Sequence, residues 1–361
     1  MTPAAQAARI RNIERIILSP IAVNKAACAS EAYRISSLLC YAVRIAHCRL
    51  VESVIGKLTK TAATQHRSKI AAVIRLSRWR EHVPFTIPLT IIGGLLALEP
   101  DAAADWRLFA VLAANILAMS FAFMLNNVED APDDALDAQK KRQNVISSGV
   151  LSRRDGAVLS AATFIASLGL FALSGALAFV IGGATLALCY LYSAHPFRLK
   201  ARPITDVVTH ALMLSGLLLA AGYFTYGSAP REVWLVIAAA SLFSAYGQFY
   251  NQVVDYELDK AAGLKNTAVL LGKVPTSILG HLSIVGALIC ITLAIMQALF
   301  PVWLGTILII GVITTVIFPW EFDMRGNLAS EGGNMQRPGL IIANFLALIW
   351  LASNMGWITI L

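Results

Sequence analysis

The stretch NNVEDAPDDALD, Asn126 to Asp137, follows a long apolar run and spaces Asn126, Asp130 and Asp134 four residues apart. On a helix, side chains at that spacing lie one above another on a single face. The pattern recurs in NQVVDYELD, where Asn251, Asp255 and Asp259 stand at the same intervals after a second apolar run. One such ladder is accounted for by a solvated helix end. Two ladders, each closing a segment of membrane-spanning character, call for a shared role.

The composition sets the class. The chain of 361 residues is 57% hydrophobic and 14% charged, where a soluble domain carries about 25% charged residues. A polytopic membrane protein follows. The net charge of +8 is explained by basic cytoplasmic loops and argues for a lipid bilayer, not nucleic acid, as the partner surface. The five cysteines, Cys28, Cys40, Cys48, Cys189 and Cys290, are odd in number and form no CxxC pair. They read as small buried hydrophobes, not as a disulfide framework or a zinc site.

Residues 1–75 form a basic N-terminal extension without an apolar run of spanning length. Ile35, Leu38, Leu39, Ala42 and Ile45 follow a helical period, which suits a helix lying on an anionic membrane surface. A targeting segment, or upstream sequence included by a misplaced start, reads equally well. Residues 76–361 form the main domain. Nine apolar segments follow there, near 82–99, 107–126, 157–175, 176–193, 204–227, 233–252, 276–299, 301–320 and 340–361, each of roughly spanning length. The fold class is therefore an all-α membrane protein with nine transmembrane helices around a central cavity. Lys and Arg crowd the alternate loops, including Lys140, Lys141, Arg142, Arg198, Lys200, Arg202, Lys260 and Lys265. The positive-inside rule then puts the N-terminus and both ladders in the cytoplasm and the C-terminus outside, for a protein of the inner or plasma membrane.

Carboxylates grouped at a membrane boundary repel one another unless cations intervene. Oxygen donors with no nearby His or Cys cluster suit magnesium, which takes one or two carboxylates and completes its shell with water and substrate phosphates. Two facing sites of this kind would hold a diphosphate between them, with the apolar segments behind as a lodging for a long hydrocarbon tail. Lys140, Lys141, Arg142, Arg198, Lys200, Arg202 and Lys265 fall on the same side. They either neutralise a departing diphosphate or only enforce topology.

In these residues the chain resembles the UbiA superfamily of intramembrane prenyltransferases, which have nine transmembrane helices and Asp-rich motifs after helices two and six. Asn126, Asn127, Asp130 and Asp134 match NDxxDxxxD, and KKRQNVISSG from Lys140 to Gly149 echoes the basic stretch that follows it. Asp255, Asp259, Gly263 and Lys265 match the second motif, DxxxD leading to GxKT. YSAHPFRLKARPITD, Tyr192 to Asp206, is similar to the family's stretch between the two. The sequence departs from the pattern at Asn127, usually Asp, at Pro132 inside the first ladder, where a bend is expected, and at Asn266, which sets Thr267 one place late.

The resemblance implies Mg2+-dependent transfer of a polyprenyl group from a polyprenyl diphosphate donor to a lipophilic or aromatic acceptor. Two ions are implied, one on Asn126, Asp130 and Asp134 and one on Asn251, Asp255 and Asp259. It also implies diphosphate contacts from Asn126, Lys140, Arg142, Arg198, Lys200 and Lys265, with Tyr192 close to the reacting groups. Tyr192 also reads as an interfacial anchor, His210 and His281 as helix-packing residues, His195 as the more functional histidine, and Glu129 and Glu257 as lying off the ladder faces. The loop 321–339 reads as a cover or a linker. A transporter is the rival reading, but it would place acids at the bilayer midplane.

Overall fold

The computed structural model describes residues 71–99, 102–229, 233–261, 263–317 and 336–359. The basic extension up to residue 70, with Cys28, Cys40 and Cys48, and the expected cover at 321–335 lie outside the described residues.

The described chain is helical. In order it runs α1 (Trp79–Leu96), α2 (Trp106–Asp134), α3 (Ala138–Gln143), α4 (Arg153–Ser174) and α5 (Ala176–Ser193). It continues through a 3-10 turn (Leu199–Ala201), α6 (Thr205–Ala211), a π turn (Leu212–Gly216) and α7 (Leu217–Tyr223). The remainder is α8 (Trp234–Val254), α9 (Tyr256–Ala261), α10 (Thr267–Leu271), α11 (Lys273–Met296), α12 (Val302–Ile317) and α13 (Gln336–Asn354). Each of the nine apolar segments is helical over most of its described residues. Among the described residues, six helices are long and apolar enough to cross a membrane: α2, α4, α5, the continuous Thr205–Tyr223 run, α11 and α13.

Polar side chains start some of these helices. Asp105 accepts from the Arg107 amide at 2.9 Å to open α2, and Ser152 accepts from the Asp155 amide at 3.0 Å to open α4. Each satisfies an N–H that the helix leaves without a partner. Inside the bundle, α2 packs on α4, α8 on α11, and α1 on α7. The last pair meets backbone to backbone. A β-carbon at Gly93 would stand 2.1 Å from the Leu219 carbonyl oxygen, and one at Gly222 would stand 2.3 Å from that of Thr90. Nearby, the buried Asn115 amide donates to Thr90 Oγ1 at 2.8 Å and to the Leu218 carbonyl at 3.0 Å. Small residues admit the close approach and the amide holds it, a pairing suited to surroundings without water.

One expectation needs correction. The first ladder does lie on one helix, and α2 stays helical through Pro132 to Asp134. Proline this close to a helix end removes one hydrogen bond of the last turn and leaves the turns before it intact. The second ladder is not one helical face. α8 stops at Val254, Asp255 caps it, and Asp259 belongs to the separate short helix α9. The amide of Asp259 still donates to the Asp255 carbonyl at 2.9 Å, so the four-residue hydrogen-bond spacing survives the change of direction.

Candidate active site

A cavity of about 570 Å³ opens between the helices. α2 brings Phe123 and Asn126 to it, the end of α5 brings Tyr192 and Ser193, and α8 with its cap brings Gln248, Asn251 and Asp255. His210, Met213 and Leu214 line it from the α6–π turn, where the wider turn displaces side chains from regular helical spacing. Arg78 and Glu81 line it from the start of α1. The opening asparagines of both ladders thus face one space, together with one aspartate.

One turn beyond Asn126 on α2, charge is concentrated. Asp130 accepts from Arg198 Nη2 at 3.0 Å on one oxygen and from Lys200 Nζ at 2.5 Å on the other. The same Arg198 nitrogen reaches Asp133 at 2.9 Å, and His195 pairs with Glu129 at 3.0 Å. Arg198 holds a left-handed backbone with φ 41, a costly conformation for a side chain of this size and one that concentrates at functional sites. Burial pulls the Lys200 ammonium below the ordinary lysine value, against the opposing pull of the Asp130 carboxylate.

The other acids are held by amides. Asn144 donates to Asp134 at 2.9 Å and to the Asn127 carbonyl at 2.8 Å. Asn266 donates to Asp259 at 2.6 Å while its own oxygen caps α10 by accepting from the Val269 amide at 2.9 Å. Burial raises the Asp259 carboxyl above the ordinary aspartate value; the Asn266 bond opposes this and the Asp255 carboxylate adds to it. Behind them sits Asp206, fully buried. It accepts from Gln252 at 2.7 Å, from the Thr267 amide at 2.8 Å and from the Thr267 hydroxyl. One carboxylate therefore fastens the basic loop, the end of α8 and the start of α10 together.

Of the residues expected from sequence, Asn126, Asn251, Asp255 and Tyr192 line the cavity. Asp130, Arg198 and Lys200 form one ion-paired cluster, and Asp134 and Asp259 are held by asparagine amides. Lys140, Arg142 and Lys265 are exposed and do not line the cavity. Glu129, expected off the ladder face, pairs with His195, and Glu257 pairs with Lys273 at 2.8 Å. His281 donates within its own helix to the Ser277 carbonyl at 2.7 Å, while His210 faces the cavity and also meets Ser244 at 3.2 Å. Glu81 and Gln248 carry no motif; a carboxylate and an amide at the edges of apolar runs are their only signal in the sequence.

The donors around the ladders are carboxylate and amide oxygens. Among the described residues, no group of three or more His, Cys, Asp or Glu side chains converges on one point. Carboxylate and amide oxygens in small number suit magnesium, which uses few carboxylates and keeps positions for water and phosphate.

Known proteins resemble the chain in sequence and in fold. The model of the family described as "UbiA prenyltransferase family" matches residues 86–327. A 4-hydroxybenzoate octaprenyltransferase of Ectopseudomonas mendocina is 29% identical over 248 residues, covering 65% of this chain and 80% of that protein. A lycopene elongase/hydratase of Haloferax volcanii is 31% identical over 183 residues, 50% of this chain and 56% of that protein. Among solved structures, a UbiA homolog from Archaeoglobus fulgidus bound to GPP and Mg2+ superposes with a TM-score of 0.65 at 24% identity, over 79% of this chain and 99% of that one.

Proposed function

Because the chain belongs to the UbiA prenyltransferase family, we propose that it transfers a polyprenyl group from a diphosphate donor to an aromatic acceptor in the cavity between α2 and α8. One observation carries this reading: Asn126 of the first ladder and Asn251 and Asp255 of the second face the same space. A relative that acts on 4-hydroxybenzoate supports an aromatic acceptor, and a structural neighbour bound to GPP and Mg2+ supports the donor and the metal.

In this reading Asn126, Asp130 and Asp134 would hold one magnesium ion, and Asn251, Asp255 and Asp259 would hold a second. When bound, magnesium would neutralise charge on a departing diphosphate. Arg198 and Lys200 turn their donors to the diphosphate oxygens, with Asp130 fixing where those donors start. Tyr192 and Asn126 orient the donor head. The apolar faces of Phe123, Met213, Leu214 and Val254 keep water from the allylic cation once the carbon–oxygen bond breaks. The acceptor ring attacks that carbon and then loses a proton, which restores its aromaticity.

The six spanning helices make this an integral membrane protein. The proposed topology adds α1, α8 and α12 to make nine spans, with the ladders cytoplasmic and the C-terminus outside. Residues 1–75 stand as an extension outside the catalytic domain at 76–361.

The test is diphosphate release from GPP by full-length protein in nanodiscs, with and without Mg2+. Asp130→Ala and Asp255→Ala should each lower the rate at least a hundredfold with membrane insertion unchanged. Undiminished release by either variant would refute the assignment of the ladders.

A further inference from the structure

The charges on the α1 wall of the cavity are arranged in a way the ladders do not explain. Arg78 stands just before α1 with a left-handed backbone, φ 48, which turns the side chain back along the helix start. Its Nε donates to one oxygen of Glu81 at 2.6 Å, and Nη2 donates to the other oxygen. This is the parallel two-bond fork in which a guanidinium engages a carboxylate most specifically. The guanidinium also lies 4.8 Å from the centre of the Phe123 ring, and Phe123 stacks on the buried His82 ring at 5.6 Å. Arg78 is thus held by a carboxylate and by an aromatic face.

Among the described residues that line the cavity, Arg78 is the one cation, and Glu81 and Asp255 are the anions. The nearby Arg198 and Lys200 pair with Asp130 and do not line the cavity. An acceptor carrying a carboxylate would therefore meet a cation whose two parallel donors are already taken by a carboxylate of its own sign. A charge brought from water into such surroundings is costly without a counter-ion of its own. A hydroxyl or a neutral amide meets no such penalty: it can donate to Glu81 or exchange hydrogen bonds with Gln248.

We infer that Glu81 determines acceptor specificity, cancelling the Arg78 charge so that the cavity takes an uncharged, hydroxyl-bearing aromatic acceptor and rejects an aromatic carboxylate. The inference rests on the prenyltransferase reading above and adds the acceptor's charge class to it.

Equilibrium binding of two radiolabelled probes of matched shape, 4-hydroxybenzamide and 4-hydroxybenzoate, to the full chain in nanodiscs tests it. The wild type should bind the amide at least tenfold more tightly than the carboxylate. Glu81→Gln, which leaves Arg78 charged and uncancelled, should shift that ratio at least tenfold toward the carboxylate. Glu81→Asp keeps the negative charge and should still favour the amide, which separates charge from general damage to the wall. Equal binding of the two probes by the wild type, binding of neither, or an unchanged ratio in Glu81→Gln would each overturn the assignment. Retention of GPP with Mg2+ by the same preparation reports on the donor site separately. Loss of GPP retention would overturn the transferase reading, whereas retained GPP with an unchanged acceptor ratio would overturn the role of Glu81 alone.

Discussion

Asn127 stands where the family pattern usually carries aspartate, and its surroundings account for the change. The side chain is buried and its amide nitrogen points at the Leu76 carbonyl, 3.4 Å away. A carboxylate there would set an anion against a carbonyl oxygen. Asn127→Asp should therefore lower stability by about 3 kcal/mol, read as a fall in melting temperature in detergent. An unchanged melting temperature would show that the position can be hydrated. This residue also marks what a sequence can disclose. Its neighbours Asn126 and Asp130 are legible as site residues because the four-residue spacing repeats twice. Asn127 reads there only as a lost charge, since the carbonyl it faces comes from a segment 51 positions earlier. Glu81 is harder still to read: nothing in its local sequence says that Arg78 folds back on it above Phe123.

Among the elements, the two ladders are built differently. The first is a face of α2. The second bends at Asp255, and its pieces are held by contacts from other segments: Asn266 on Asp259, and Asp206 on Gln252 and Thr267. The interval of four is the same in both cases, so spacing cannot tell a continuous helix from a broken one; the break depends on partners up to 61 positions away. Asp206→Asn would place an amide nitrogen among groups that already donate. It should cost about 3 kcal/mol and raise KM for the diphosphate donor more than it lowers kcat, because the loop bearing Arg198 and Lys200 loses its anchor. Equal effects on KM and kcat would instead point to a purely structural role. The α1–α7 contact offers a cleaner test of packing. Gly222→Ala pushes a methyl group into the Thr90 carbonyl and should destabilise by about 2 kcal/mol or more, whereas Gly183→Ala, with nothing within 4 Å, should leave the melting temperature unchanged.

Across the whole molecule, a second polar cluster clips α2 to its neighbours at its other end. Tyr226 donates to the Asp105 carboxylate at 2.9 Å and accepts from the Leu108 amide at 3.1 Å. Asn354, at the end of α13, binds the amide of Ala104 at 2.8 Å and the carbonyl of Ala102 at 2.9 Å. Burial favours the neutral Asp105 carboxyl, but the Arg107 amide, the Tyr226 hydroxyl and the Arg107 guanidinium outweigh it and hold the group below the ordinary aspartate value. With the folded value lowered, its stabilising contribution is complete above about pH 4 and disappears as the pH falls through the lowered value. Tyr226→Phe should weaken this clip, with a lower melting temperature at pH 7 and a smaller difference from the wild type once Asp105 is protonated. A difference independent of pH would remove Asp105 from the clip. Deletion of residues 1–70 should leave diphosphate release within about twofold of the full chain, a change too small to register as a barrier difference. Abolished release from a well-inserted truncation would place the extension in the site.

α1 contains Pro84 and Pro88. Pro88 has no N–H to give to the carbonyl four residues before it, and that carbonyl, on Pro84, accepts instead from the Asn344 side chain of α13 at 2.6 Å. The ribosome delivers these two groups 260 residues apart. Until Asn344 is made, α1 thus lacks a partner for one carbonyl that its own turn cannot supply. A chain that stops short of Asn344 leaves that carbonyl without the donor that α13 supplies.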